Sequence, residues 1–156
     1  AVEGVQVEAL RPYAGPLDTH RELELLEALA RAAEGTTLEL LATELPRVFN
    51  SGWAVVLQCA GDDWEVTAAS EAAPSFDGLE LPWMPLTAPR LLPSEEDWLP
   101  ERWRDMAIEM MAAPYGGEAC AVVVGRSGGP AFRRSELLRL AHLTGIASTV
   151  ASLPPA

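Results

Sequence analysis

The sequence predicts an α/β domain of the α+β type. It expects an antiparallel sheet of about five to six strands, with the N- and C-terminal helices packed on one face and an irregular helical lid on the other. Three observations carry this. Apolar runs of strand length are joined by tight turns bearing Gly and Asp, which demand antiparallel pairing. Long helical periodicity is confined to the two ends of the chain, where both ends can gather on one sheet face. Between two strand pairs lies a stretch too rich in proline to be sheet.

The elements follow in order. Residues 1–18, with Pro12, Gly15 and Pro16, read as a leader or linker with a short strand at 5–7. A single domain is expected over 19–153, and Pro154-Pro155 mark a boundary at 154–156. Thr19 with Glu22 has capping-box spacing and opens a helix through Leu23, Leu26, Leu29, Ala30 and Ala33, stopped by Gly35. Thr36 with Glu39 repeats the pattern. Leu38, Leu41, Ala42, Leu45 and Phe49 form the second apolar face, and Pro46 bends or ends that helix.

Residues 53–59 are nearly continuously apolar, as a central strand would be. Gly61-Asp62-Asp63 turns the chain, and 64–69 return. From Ala73 to Pro100, six prolines break the chain into short helical pieces expected at 86–92 and 94–98, followed by 101–109. Long excursions in compact domains are often binding lids. Residues 111–115 and 118–124 form a second strand pair around Gly116-Gly117. Ser135 is placed to cap a last helix over 135–153, with Leu138, Ala141, Leu143, Gly145, Ile146 and Val150 as its apolar positions.

The totals exclude several function classes. The 156 residues suffice for one domain with its own core. The formal charge of −12 repels phosphate backbones and anionic membranes, so no nucleic acid and no membrane is expected as a partner. All 11 basic residues are Arg, which excludes Schiff-base chemistry and a Walker-type phosphate lysine. No apolar run reaches the roughly 20 residues of a membrane span, and no signal peptide opens the chain, so a cytoplasmic location is expected.

Residues 122–140, VVVGRSGGPAFRRSELLRL, have the strand–glycine–helix outline of a phosphate-binding loop. No lysine follows the last glycine, and Pro130 removes an amide such a nest would use. The stretch reads as a sheet-to-helix connection, with Phe132 tucked into the core.

These residues carry a resemblance. Residues 111–115 ending near Pro114, the Gly116-Gly117 turn, the 119–124 strand, the loop to Pro130, Phe132 and the acidic-start helix at 135–138 resemble the last third of a GAF domain. The paired helices leading into 53–59 resemble its first third, so the likeness spans roughly 20–152. PAS and roadblock-type modules share the same layered logic. The resemblance implies a bacterial sensor module serving a cyclase, kinase or transcription factor.

Each of the family's special chemistries depends on particular residues. The cyclic-nucleotide signature needs a lysine that this chain lacks, and the bilin attachment needs a Cys-His pair that the excursion lacks. Haem sensing needs an axial histidine, and only His20 and His142 exist, both on terminal helices. No cofactor is evident and no metal site is expected. The free methionine sulfoxide reductase branch needs reactive lid thiols. Cys59 and Cys120 are instead expected as buried apolar thiols in strands. Glu95, Glu96 and Asp97 favour a helix start through its dipole.

Two readings of the Trp- and Met-rich excursion stay open, core filling and ligand pocket. The pocket reading names Trp83, Trp98, Arg102, Trp103, Met106, Met110 and Tyr115 as contacts for an unknown small molecule. Arg102 and Arg104, which flank Trp103, are suited to a ligand carboxylate or phosphate. Leu26, Leu29, Leu138 and Ile146 are named for a homodimer and for signalling through the terminal helices to a covalently linked output domain. The leading expectation is a non-enzymatic sensor domain that closes its 73–110 lid over a ligand. The alternatives are a ligand-free dimerisation module and a sulfoxide-reductase-like enzyme.

Overall fold

The computed structural model describes residues 16–32, 35–94 and 96–152, with side chains from His20 onward. The expected strand at 5–7, the Thr19 capping hydroxyl, Ala33, Glu95, Leu153 and the 154–156 boundary lie outside what is described. The elements are α1 (Pro16–Arg31), α2 (Thr37–Val48), β1 (Trp53–Ala60), β2 (Asp63–Ala69), β3 (Arg90–Leu92), α3 (Glu101–Asp105), β4 (Ile108–Pro114), β5 (Cys120–Ser127) and α4 (Arg134–Ser152).

Among the described residues the sheet has five strands in the order β2-β1-β5-β4-β3, and every neighbouring pair is antiparallel. Strands β1 and β5 form its centre, with Val55 opposite Val123. Both faces are covered, which is why their sequences are apolar at nearly every position. On one face Ala54, Val56, Met111, Ala113, Val122 and Val124 pack against Leu25 and Leu29 of α1, Leu41 and Leu45 of α2, and Leu140 and Leu143 of α4. On the other, Trp53, Val55, Leu57, Met110, Ala112 and Val123 pack against the lid residues Phe76, Trp83, Leu86, Leu99 and Trp103. The expected architecture of helix face, sheet and lid face is the observed one.

Several elements differ from expectation. Helix α1 begins at Pro16, whose fixed φ suits a first helical position, so Thr19 stands inside the helix. Its core stripe runs through Leu25 and Leu29, while Leu23 points outward at 54% exposure. Helix α4 likewise buries Leu137, Leu140, Leu143, Thr144 and Ala147. Ser135 is not its cap: the Glu136 carboxylate accepts the Arg133 backbone N–H at 2.9 Å, the returning half of a capping box. Pro46 sits in the last turn of α2, which ends two residues later at Val48.

The lid is less helical than expected. Residues 90–92 are the edge strand β3, with Leu91 opposite Met111, rather than the end of a helix. Among its described residues only α3 is helical, and it stops at Asp105. Ala107, with φ +51, then turns the chain so that Ile108 enters the lid-face core as the start of β4.

One irregularity decides which way β2 faces. Val56 pairs with Ala68 but Leu57 pairs with Val66, so Thr67 is an extra residue that bulges the strand. Ala68 packs on the helix face, whereas Trp64, past the bulge, packs on the lid face. Strict alternation would have put Trp64, Val66 and Ala68 on one side.

Candidate functional site

The connection after β5 has a cation at its centre. Arg126 donates to the carbonyl oxygens of Pro130 at 2.8 Å and Ala131 at 3.3 Å. It also pairs with Glu136 at 3.4 Å and stacks on the Phe132 ring, 4.0 Å from its centroid. A phosphate nest turns its amides inward; this loop turns its carbonyls toward a guanidinium. The 125–130 segment is therefore a structural corner, as the missing lysine implies.

The lid face carries a continuous aromatic chain. Trp53 meets Phe76 edge to face at 6.0 Å, Phe76 meets Trp103 at 5.2 Å, Trp103 meets Trp98 at 6.5 Å, and Trp98 meets Trp83 at 5.7 Å. These are the favoured T-shaped geometries of ring quadrupoles. Along this chain of rings the space between lid and sheet is thus filled by side chains, and an open volume lies within the lid itself. A groove of about 630 Å³ runs between residues 78–82 and the 97–100 turn, with Trp98 in its wall beside Glu80 and Asp97.

At this end of the chain of rings, two donors have no acceptor. The indole N–H groups of Trp83 and Trp98 are both sealed from solvent without a hydrogen-bond partner. A buried N–H left unpaired costs about 1–3 kcal/mol, so such groups are rare and call for a reason.

The named candidates separate into four groups. Trp83, Trp98 and Trp103 come together in the ring chain, with Met110 buried under the lid. Arg102, on α3, and Met106, just past its end, are exposed, Met106 at 54%. Arg104 is occupied, donating to the carbonyls of Asp97 and Leu99 and so holding the groove's 97–100 turn. Tyr115 lies across the sheet, packed against the helix-face core, and does not share a pocket with the lid tryptophans. Sequence reasoning missed Phe76, which stands at the crossing of the ring chain; a lone aromatic between two prolines carries no periodic signal.

The thiols also differ from expectation. Cys59 is exposed, and Cys120 is half-buried. Cys120 pairs with Gln58, so its neighbour Cys59 faces the lid while Cys120 packs on the helix side. Burial raises the Cys120 thiol above its ordinary value, which reduces its thiolate character. Two thiols on opposite faces of one sheet cannot join in a disulfide without rearrangement. Among the described residues, no cluster of His, Cys, Asp and Glu is arranged to hold a metal ion, and no helix is long and apolar enough to cross a membrane.

The terminal helices are held together by a charged clamp. Arg139 of α4 donates through two nitrogens to one Glu22 oxygen of α1, at 2.6 and 3.0 Å, and its guanidinium lies 5.1 Å from the Phe49 ring centroid. Beside the clamp, Leu26, Leu138, His142, Leu143 and Ile146 line a groove of about 420 Å³. Leu138 and Ile146 are exposed, at 53% and 37%, whereas Leu29 is buried in the core and is not on this outer surface.

No family model and no curated protein sequence matches the chain. Solved structures do match. The nlh2 GAF domain of A. aeolicus in an inactive state superposes with a TM-score of 0.58 at 9% identity, covering 85% of this chain and 96% of that one. A GAF domain/HD domain protein from Geobacter sulfurreducens superposes with a TM-score of 0.54 at 19% identity, covering 87% of this chain and 94% of that one. At these identities the likeness is one of fold.

Proposed function

The chain has the GAF-domain fold, and from that premise we propose that it is a regulatory sensor module of a signalling protein. It binds a small molecule in the lid groove and passes the event through its terminal helices. The carrying observation is the sealed, unpartnered indole donor of Trp98, in the wall of a groove of about 630 Å³, with the equally unpartnered donor of Trp83, whose ring meets that of Trp98 at 5.7 Å. A ligand with a hydrogen-bond acceptor recovers their pairing when it enters, which gives the bound state an advantage that the free state lacks.

The response runs from Trp98 through Trp103 to Trp53, at the start of β1 directly after α2. Helices α1 and α4, joined by the Arg139–Glu22 clamp, pass it to a second copy and to an output domain. Coupling of this kind is worth about 1–3 kcal/mol and is reciprocal: whatever dimerisation does to ligand affinity, the ligand does to dimerisation. The outer face with Leu23, Leu138 and Ile146 supports a homodimer through these helices.

Native mass spectrometry of freshly purified protein tests the reading, together with NMR of the indole N–H resonances. A retained molecule whose removal moves the Trp83 and Trp98 resonances supports it, and Trp83→Phe and Trp98→Phe should lose that molecule. Protein that retains nothing, with both resonances indifferent to a metabolite library, sinks it. That outcome favours the ligand-free dimerisation module, a reading that the close aromatic packing under the lid also supports.

A further inference from the structure

The 78–81 segment has a second groove on its other side. It holds about 750 Å³ between the hairpin of β1 and β2 and residues 76–81 of the lid. Its apolar lining is Leu57, Trp64, Val66, Phe76, Leu79 and Leu81. Val66 is 39% exposed, and it pairs with the lid-facing Leu57 because the Thr67 bulge turns this half of β2 to the lid side. Without that bulge Trp64 and Val66 would sit with Ala68 on the helix face. Bulges commonly re-aim side chains in this way next to binding sites.

The charge of the groove is one-sided. No Arg, Lys or His occurs between Arg47 and Arg90, while Asp62, Asp63, Glu65, Glu71, Asp77 and Glu80 do, so this stretch holds −6 of the −12 formal charge. Asp62 and Asp63 stand on the hairpin wall of the groove, and Asp77 and Glu80 on the lid wall. Glu65 also lines the groove, but its pairing with Gln58 directs its side chain to the opposite face of the sheet. No arginine lines the groove, and none of these four carboxylates forms an ion pair among the described residues.

We propose that this groove docks a basic polypeptide segment in which Arg or Lys alternates with apolar side chains. The apolar strip receives the apolar side chains, and the carboxylates on its two walls receive the cations. The field of the groove excludes anionic partners, nucleic acid included. A small polyamine would satisfy the walls but leave the strip uncovered. The site shares the 78–81 segment with the Trp98 groove but lies on the hairpin side of it, and it needs no ligand in that groove.

The test uses the whole 156-residue chain and labelled peptides followed by fluorescence anisotropy. The probe is acetyl-RLRVRL-amide. RGRGRG, of equal charge but without apolar side chains, is the first control, and spermidine as competitor is the second. RLRVRL should bind about tenfold more tightly than RGRGRG, and added salt should weaken it. The pairs Asp62→Asn/Asp63→Asn and Asp77→Asn/Glu80→Gln should each weaken it about fivefold. Val66→Ser should weaken it about threefold, while Glu27→Gln, on α1, should leave it unchanged. All these substitutions are at partly or fully exposed positions, and circular dichroism checks that each variant is folded. The proposal is overturned if RGRGRG binds as tightly, if spermidine displaces the probe at equal concentration, if the amide variants bind normally, or if no peptide binds.

Discussion

The Trp53 indole occupies the space that a side chain on Gly125 would need. The two residues face each other across β1 and β5, and a Cβ on Gly125 would lie 2.1 Å from Cζ2 and 2.3 Å from Cε2 of the indole. The ring that begins the aromatic chain is therefore seated by a missing methyl group on the neighbouring strand.

Gly125→Ala should accordingly destabilise the domain by about 2–3 kcal/mol through overpacking. Thermal unfolding would show this as a fall of about 5–10 °C in Tm. Pairing it with Trp53→Leu, which frees the space, should cost less than the sum of the two single changes. Strict additivity would mean that the two residues do not compete for the same volume.

Arg126 holds the corner between β5 and α4 through two carbonyls, Glu136 and the Phe132 ring. Arg126→Ala should cost about 2 kcal/mol, because charged hydrogen bonds and a stacked face are lost together. Arg126→Lys should restore little of this, since an ammonium lacks the planar fork. Urea unfolding measures the loss. Hydrogen exchange at the Arg133 amide, which the Glu136 carboxylate caps, should speed up in both variants.

The Arg139–Glu22 clamp is only partly buried, so its net worth is small. A double-mutant cycle with Arg139→Ala and Glu22→Ala should give a coupling of about 0.5–1 kcal/mol that shrinks in added salt. A coupling that salt leaves unchanged would mean that packing on Phe49 dominates.

Leu138→Asp and Ile146→Asp place charges on the exposed face of α4. Sedimentation velocity should show both shifting the proposed dimer toward monomer while the melting of the monomer is little changed, because neither side chain belongs to the core. A monomeric parent protein, or variants that still dimerise, would remove the terminal helices as the interface.

Burial raises the Cys120 thiol from its ordinary value of 9.0. Tyr115 is raised from 10.0, first by burial and then by the neighbouring Cys120. For both, the folded chain keeps protons that the unfolded chain releases at lower pH. Their contribution to stability is therefore intact below pH 9 and is lost as pH rises through the raised folded values. Urea midpoints measured from pH 8 to 11 should fall across this window, and less steeply in Cys120→Ala. In native protein at pH 8, iodoacetamide should modify the exposed Cys59 well before Cys120.

Much of this architecture is written locally. The alternating turns around Gly61 and Gly116, the apolar runs in β1 and β5, and the helical periods at the two ends specify an antiparallel sheet with helices gathered on one side. Each is a short-range pattern that the backbone must obey wherever it lies. The absence of lysine already rules out a phosphate loop after Gly125, and the Arg126 guanidinium holds that corner instead.

What the sequence left open is set by partners distant along the chain. Strand β3 is three residues between prolines, too short to show a period, and exists because β4 offers it an edge. Leucine and alanine surround α1 and α4 on several sides, so only packing selected Leu25 and Leu140 for the core and left Leu23 and Leu138 outside. One inserted residue, Thr67, reversed the direction of Trp64 and Val66, and strand register put Cys59 and Tyr115 on faces that no spacing reveals. Periodicity says that a segment has two sides. Which side meets the core is decided only when the sheet, the helices and the lid compete for the same buried volume.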